Sequence, residues 1–309
     1  MVFKENEFTK PLKEVVLTMN MLKRMAAIST IVMLATTMLA ACGQTSAPSN
    51  ASGGNADAPK ADASKSDKAA QAGGIEEIKK RGKLVAGVKY DTFLFGFKDP
   101  SSGKVEGFDI DIAKAIAKKI FGDESKLELK EVTSKTRIPM LQNGDIDAII
   151  ATMTITDERK QQVDFSDVYF KAGQSLLVKK GSPIQSIADI KKGTKVLGAK
   201  GSTSVKNIRE KAPDATVLEF DNYQDAFAAL KAGQGEALTT DNAILFGMAK
   251  QDPNFAVVGG NFTDEPYGIA VKKGNTDLQN LINEVIQSMK QSGEYDKLYE
   301  RWMGEKPSD

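Results

Sequence analysis

The chain has 309 residues, one cysteine and no histidine, and its 42 basic against 41 acidic side chains leave a net charge of +1. Near-neutrality argues against nucleic acid or another polyanionic partner, which wants a basic face. The absence of histidine excludes Ser-His and Cys-His catalysis, the usual zinc sites and histidine pH switching, while a single thiol excludes an internal disulfide and a thiolate metal site.

The cysteine, Cys42, follows Leu39-Ala40-Ala41 at the end of an uncharged run from Met25 to Met38, and Lys23 and Arg24 give that run a positive start. This resembles a bacterial lipoprotein signal, which implies that residues 1–41 are severed and that Cys42 becomes the lipidated first residue. The run is too short and too rich in Thr, Ser and Ala to span a bilayer, which takes about 20 mainly apolar residues. Glu5, Glu7 and Glu14 fit a signal badly and Met21 heads a more ordinary one, so the true start is expected at Met21. Loss of residues 1–41 takes the charge to about −1. Residues 42–74 carry almost no large apolar side chain and read as a disordered tether, because they cannot bury enough surface to offset chain entropy.

The remaining body of about 235 residues suffices for two lobes of ordinary size. Its apolar pattern alternates between short β-branched runs and helical periods, as in an α/β protein. Strands are expected at 84–89, 127–132 and 148–153, helices at 108–121 and 137–143, and a turn of helix capped by Thr156. After a strand at 175–179 the alternation resumes. Strands are expected at 195–199, 216–220 and 237–240, with helices at 205–211, 223–231 and 242–250. A last strand at 267–273 precedes helices at 276–292 and 295–302. If 176–179 and 268–271 are crossing segments, lobe 1 comprises 75–178 and 267–309, and lobe 2 is an insertion at 179–266.

Ligands of open α/β sheets bind beyond the carboxyl ends of the strands, and four groups stand at such places. In Ala151-Thr152-Met153-Thr154-Ile155-Thr156-Asp157-Glu158-Arg159 the two hydroxyls of Thr152 and Thr154 share one side of a strand. Arg159 sits in a first helical turn, where the dipole disfavours a cation; a bidentate carboxylate would offset that cost, but a solvated Arg beside Glu158 is equally compatible. Lys200-Gly201-Ser202-Thr203-Ser204 opens a helix with free N–H groups suited to an anion, or simply caps it. Asp241 ends a strand and either caps the next helix or faces an ammonium. Lys89 and Arg137 are cations at strand and helix ends, each by itself most often a solvated charge.

Together with Gly107-Phe108-Asp109-Ile110-Asp111 and Asp164-Phe165-Ser166, these residues resemble the polar amino acid family of extracellular solute-binding proteins from ABC importers, from about residue 75 to 302. The resemblance implies a two-lobed periplasmic-binding-protein-like fold of type II, each lobe a β-sheet flanked by helices, joined by two crossing strands. It further implies that Arg159, Thr154, Ser202 and Thr203 hold the ligand's α-carboxylate, and that Asp241 and Thr152 receive its α-ammonium. Lys89, Arg137 and Tyr223 would meet the side chain, with Phe95 as aromatic platform and Phe93 and Phe97 as alternatives.

Two cations suit a second carboxylate, so glutamate or aspartate is the first expectation, with glutamine next. The implied partners are a free L-amino acid, the ABC permease and the membrane through a lipid anchor, for a monomer without cofactor on the outer face of the cell membrane. A Gram-positive-type surface is the first choice, and a periplasm is the alternative. A cyclohexadienyl-dehydratase-like enzyme shares the architecture but would not need an ammonium-binding Asp241, and a receptor's sensing domain would need a signalling module after the second lobe.

Overall fold

The structure, a computed structural model, describes residues 74–307. The signal segment, Cys42 and the expected tether up to residue 73 lie outside the described residues. A first helix, α1 (Ile75–Arg81), leads into β1 (Leu84–Val88) and a three-stranded ribbon of β2 (Asp91–Thr92), β3 (Gly96–Lys98) and β4 (Val105–Glu106). Then come α2 (Phe108–Phe121), β5 (Leu127–Glu131), α3 (Arg137–Asn143), β6 (Ala148–Ile149), the short α4 (Asp157–Lys160) and β7 (Val163–Phe165). The chain continues through β8 (Phe170–Ala172), β9 (Gln174–Lys179), β10 (Lys195–Ala199), α5 (Thr203–Lys211), β11 (Thr216–Phe220), α6 (Tyr223–Lys231) and β12 (Ala237–Asp241). It closes with α7 (Asn242–Gln251), β13 (Phe255–Val258), β14 (Glu265–Tyr267), β15 (Ala270–Lys272), α8 (Thr276–Ser292) and α9 (Glu294–Met303).

Two five-stranded sheets organise these elements, in the orders β5-β1-β6-β15-β7 and β11-β10-β12-β9-β13. Within each, the first three strands are parallel and the rest antiparallel. Helix α2 shows why the elements fold as they do: Phe108, Ile110, Ile112, Ala113, Ile116 and Ala117 bury one face, and Gly122 ends the helix in the left-handed region at φ 72°. The α/β fold with two lobes stands as the sequence implies.

The crossing lies one strand earlier than expected. Residues 174–178 are all buried, and β9 pairs on both edges, with β12 and β13, as a central strand of the second sheet must. The connection between the sheets is instead the antiparallel pair β8 and β14, in register Glu265↔Ala172, Pro266↔Lys171 and Tyr267↔Phe170. The strand expected at 267–273 breaks at Gly268, where an added Cβ would come within 2.8 Å of the Ile155 side chain and 2.9 Å of Phe165. The strand expected at 148–153 stops at Ile149, because the chain turns away through Thr152 at φ 45°.

Candidate functional site

Strand ends from both sheets converge on the space between them. Lys89 follows β1, Gly201 to Thr203 follow β10, Asp241 ends β12, and the chain leaving β6 carries residues 150–156 to Arg159 in α4. Contacts bridge the sheets. The Asp91 carboxylate accepts from the Tyr223 N–H at 2.7 Å, at the start of α6, and the Asp91 carbonyl accepts from Gln224 at 3.0 Å. Gly201, at φ +75°, lies so close to the first lobe that a Cβ would stand 2.8 Å from Lys135 Cα. The lobes are closed on one another.

Arg159, 8 % exposed, donates to the Thr154 carbonyl at 2.8 Å and across the cleft to the Gly201 carbonyl at 3.2 Å. Thr156 caps the turn that carries it, accepting from the Arg159 N–H. Arg137 is buried and donates to the carbonyls of Ala151 at 2.7 Å and Thr152 at 3.5 Å. Lys89, with no exposed surface, donates to the Ser134 hydroxyl at 3.1 Å and stands 5.1 Å above the Tyr223 ring. All three cations therefore meet neutral oxygens or a ring face rather than a carboxylate. Asp241 receives the Tyr267 hydroxyl at 2.5 Å on Oδ2. Its Oδ1 and the Arg137 Nε are, among the described residues, buried polar atoms without a hydrogen-bond partner.

Burial costs each charge, and the shifts follow. Lys89 is pushed down to about 8, mainly by burial, with Asp91 pulling the other way. Burial lowers Arg159, and burial together with Arg159 lowers Arg137, although a guanidinium stays protonated at neutral pH. Asp241 is pushed up to about 7 by burial and then by the neighbouring Glu265.

The structure gathers Lys89, Arg137, Arg159, Tyr223, Asp241, Thr152 and Thr154 around this cleft. The hydroxyls of the β10–α5 loop are engaged within the protein: Ser202 accepts from the Val205 N–H, while Thr203 donates to Glu265 at 2.8 Å and accepts from Gln174 at 3.1 Å. What that loop offers a ligand is the first-turn N–H groups of α5, which have no intrahelical acceptor. Phe95 packs edge-on against Phe108, Phe170 and Tyr267 with no exposed surface, inside an aromatic core; Phe93 and Phe97 form a separate edge-to-face pair.

Asp91, Ser134 and Tyr267 have no site role in the sequence reading, nor has Asp109, although it stands in the Gly107–Asp111 segment that carries the resemblance. Tyr267 could have been found only from the hinge register, since its backbone pairs with Thr154 and Phe170 while its hydroxyl reaches Asp241.

Residues 84–305 match the model of the bacterial extracellular solute-binding proteins, family 3. The chain belongs to that family. The ABC transporter glutamine-binding protein GlnH of Bacillus subtilis (strain 168) is 59% identical over 288 residues, 93% of this chain and 100% of that protein. A glutamine-binding protein of Geobacillus stearothermophilus is 63% identical over 243 residues, 79% and 90% of the two chains. Among solved structures, an ancestral arginine-binding protein bound to glutamine superposes with a TM-score of 0.69 at 50% identity, covering 73% of this chain and 99% of that one.

For this solute-binding protein, Gly201→Ala should weaken ligand binding by about tenfold or more, because the added methyl collides with backbone of the opposite lobe; unchanged affinity in titration calorimetry would show that so close an approach is not needed. Affinity should also depend on pH through Asp241. With a pKa of about 7 before the ligand arrives, the carboxylate is mostly protonated at pH 6 and mostly ionised at pH 8. An ammonium ligand selects the ionised form, so binding should be about tenfold tighter at pH 8 than at pH 6, with proton release visible when calorimetry is repeated in buffers of different ionisation enthalpy.

Proposed function

We propose that this solute-binding protein captures free L-glutamine outside the cytoplasm and hands it to an ABC permease. The observation that carries the reading is the pairing of opposite, uncompensated buried charges across one cleft, Arg159 from the first lobe and Asp241 from the second, each held by neutral partners. A zwitterion with its carboxylate on Arg159 and its ammonium on Asp241 neutralises both. Thr154 and the N–H groups around Ser202 and Thr203 complete the carboxylate end, and Thr152 the ammonium end. Lys89, Arg137 and Tyr223 then face the side chain.

The choice of glutamine over glutamate or aspartate rests on two kinds of support. The relatives at 59% and 63% identity are named for glutamine, whereas glutamate-binding relatives from Corynebacterium are 32% identical. Lys89 already has a hydroxyl and an aromatic face, so an amide oxygen is an adequate further partner. Both relatives are named as binding proteins, the Bacillus one of an ABC transporter, which speaks against the dehydratase-like alternative.

Calorimetry with the free amino acids tests the reading: glutamine should bind more tightly than glutamate, and turnover of a cyclic acid would overturn it. Arg159→Ala should remove useful binding of every ligand, since stripping one partner from a buried charge pair costs about 2–5 kcal/mol. Arg137→Ala should cost acidic ligands more than glutamine, and equal losses would place Arg137 outside the side-chain pocket.

The anchor belongs to the same reading: lipid on Cys42 keeps a monomeric receptor near its permease on a surface of Gram-positive type. Cys42→Ser should shift the protein from the membrane fraction into the medium, read by fractionation and immunoblot.

A further inference from the structure

Asp109 is a buried acid that the ligand reading above does not use. It sits in the first turn of α2 with no exposed surface, among Phe108, Ile110 and Ile112. Its Oδ2 accepts the Thr152 N–H at 3.0 Å, and its Oδ1 accepts the Tyr169 hydroxyl at 2.9 Å. The Tyr169 carbonyl in turn accepts from the Tyr295 hydroxyl at 2.6 Å, so the acid is braced from α2, from the segment before β8 and from α9. Thr152 is the residue that needs bracing. Its φ of 45° is a left-handed conformation that a β-branched side chain resists. The turn there aims the carbonyls of Ala151 and Thr152 at the Arg137 guanidinium, whose Nε remains free in the cleft.

We infer that Asp109 is a positioning residue for the binding site: by accepting the Thr152 N–H it holds the left-handed turn that places Thr152 and, through two carbonyls, Arg137. The acid lies beneath the turn and acts on the ligand through it. Two features suit it to that task. A carboxylate accepts two bonds at once in fixed directions, which a hydroxyl does less rigidly. Its place near the positive end of a 14-residue helix favours the charge that burial disfavours. The groups facing it are the Thr152 N–H and the Tyr169 hydroxyl, with Arg137 and Lys89 as the cations that act on it. The inference rests on the cleft being the ligand site, but not on which amino acid fills it.

A double-mutant cycle separates positioning from general stability. Because glycine takes a positive φ without strain, Thr152→Gly should make the turn independent of its brace. Glutamine affinity and thermal midpoint are measured for the full chain, Asp109→Ala, Thr152→Gly and the double variant. Asp109→Ala is expected to weaken binding by about tenfold or more in the parent background and by less than about threefold in the Thr152→Gly background. The same factor in both backgrounds, or a lower midpoint with affinity intact, would overturn the inference. Should Asp109→Ala fail to fold, Asp109→Asn runs in the same cycle. The amide oxygen still accepts the Thr152 N–H, so its affinity is expected within about threefold of the parent; a tenfold loss that persists when combined with Thr152→Gly would overturn the inference equally. If no ligand binds the parent chain, the ligand reading has failed before the cycle begins, and the two failures are thereby distinguished.

Discussion

Everything in the cleft depends on charges that are buried without counter-charges. Arg159 and Arg137 meet only carbonyl oxygens, Lys89 a hydroxyl and a ring, and Asp241 a phenol. Burying an unpaired charge costs several kcal/mol even after relaxation, and the cost appears here as the depressed pKa of Lys89 and the raised pKa of Asp241. A protein tolerates such an arrangement when a third party returns the cost. The two lobes supply opposite signs, so the compensating molecule must touch both, and the free energy it releases favours the closed form over any other.

The hinge makes that division of labour mechanical. Tyr267 lies on the crossing strand β14, where its backbone pairs with Phe170 of β8 and bridges to Thr154, while its hydroxyl holds Asp241. The residue that joins the lobes therefore also orients the second lobe's acid, and the aromatic cluster of Phe95, Phe108 and Phe170 stiffens its base. Asp91 of β2, by accepting the Tyr223 N–H at the start of α6, joins the lobes without any ligand.

Much of the fold was legible because helical periodicity is local: the helices at 108–121, 137–143, 223–231 and 276–292 stand where their apolar spacing puts them. The hinge was not legible, because the break at Gly268 comes from the Ile155 and Phe165 side chains packed against it, a tertiary cause. Likewise the strand after Ala148 reads as continuous, and the Asp109 bond to Thr152, where the chain turns, is a tertiary contact that local pattern does not reveal. Asp109 itself looks like an ordinary acid in a first helical turn. Phe95 shows the converse limit: an aromatic near the cleft reads alike as platform or core, and the distinction rests on three neighbouring rings.

The same electrostatics bear on selectivity. A ligand with a second carboxylate would gain most if Lys89 and Arg137 were otherwise without stabilisation. Lys89 is not, since the Tyr223 face and the Ser134 hydroxyl support its ammonium, and Arg137 spends one nitrogen on two carbonyls. What remains on Arg137 is the Nε N–H and both N–H groups of Nη2, and on Lys89 the ammonium protons not given to Ser134. A carboxylate needs both of its oxygens satisfied once water is excluded, whereas an amide needs donors for one oxygen and an acceptor for its NH2 group. The free donors suffice for either side chain, so a preference between the two turns on whether the cleft also offers an acceptor to the amide NH2.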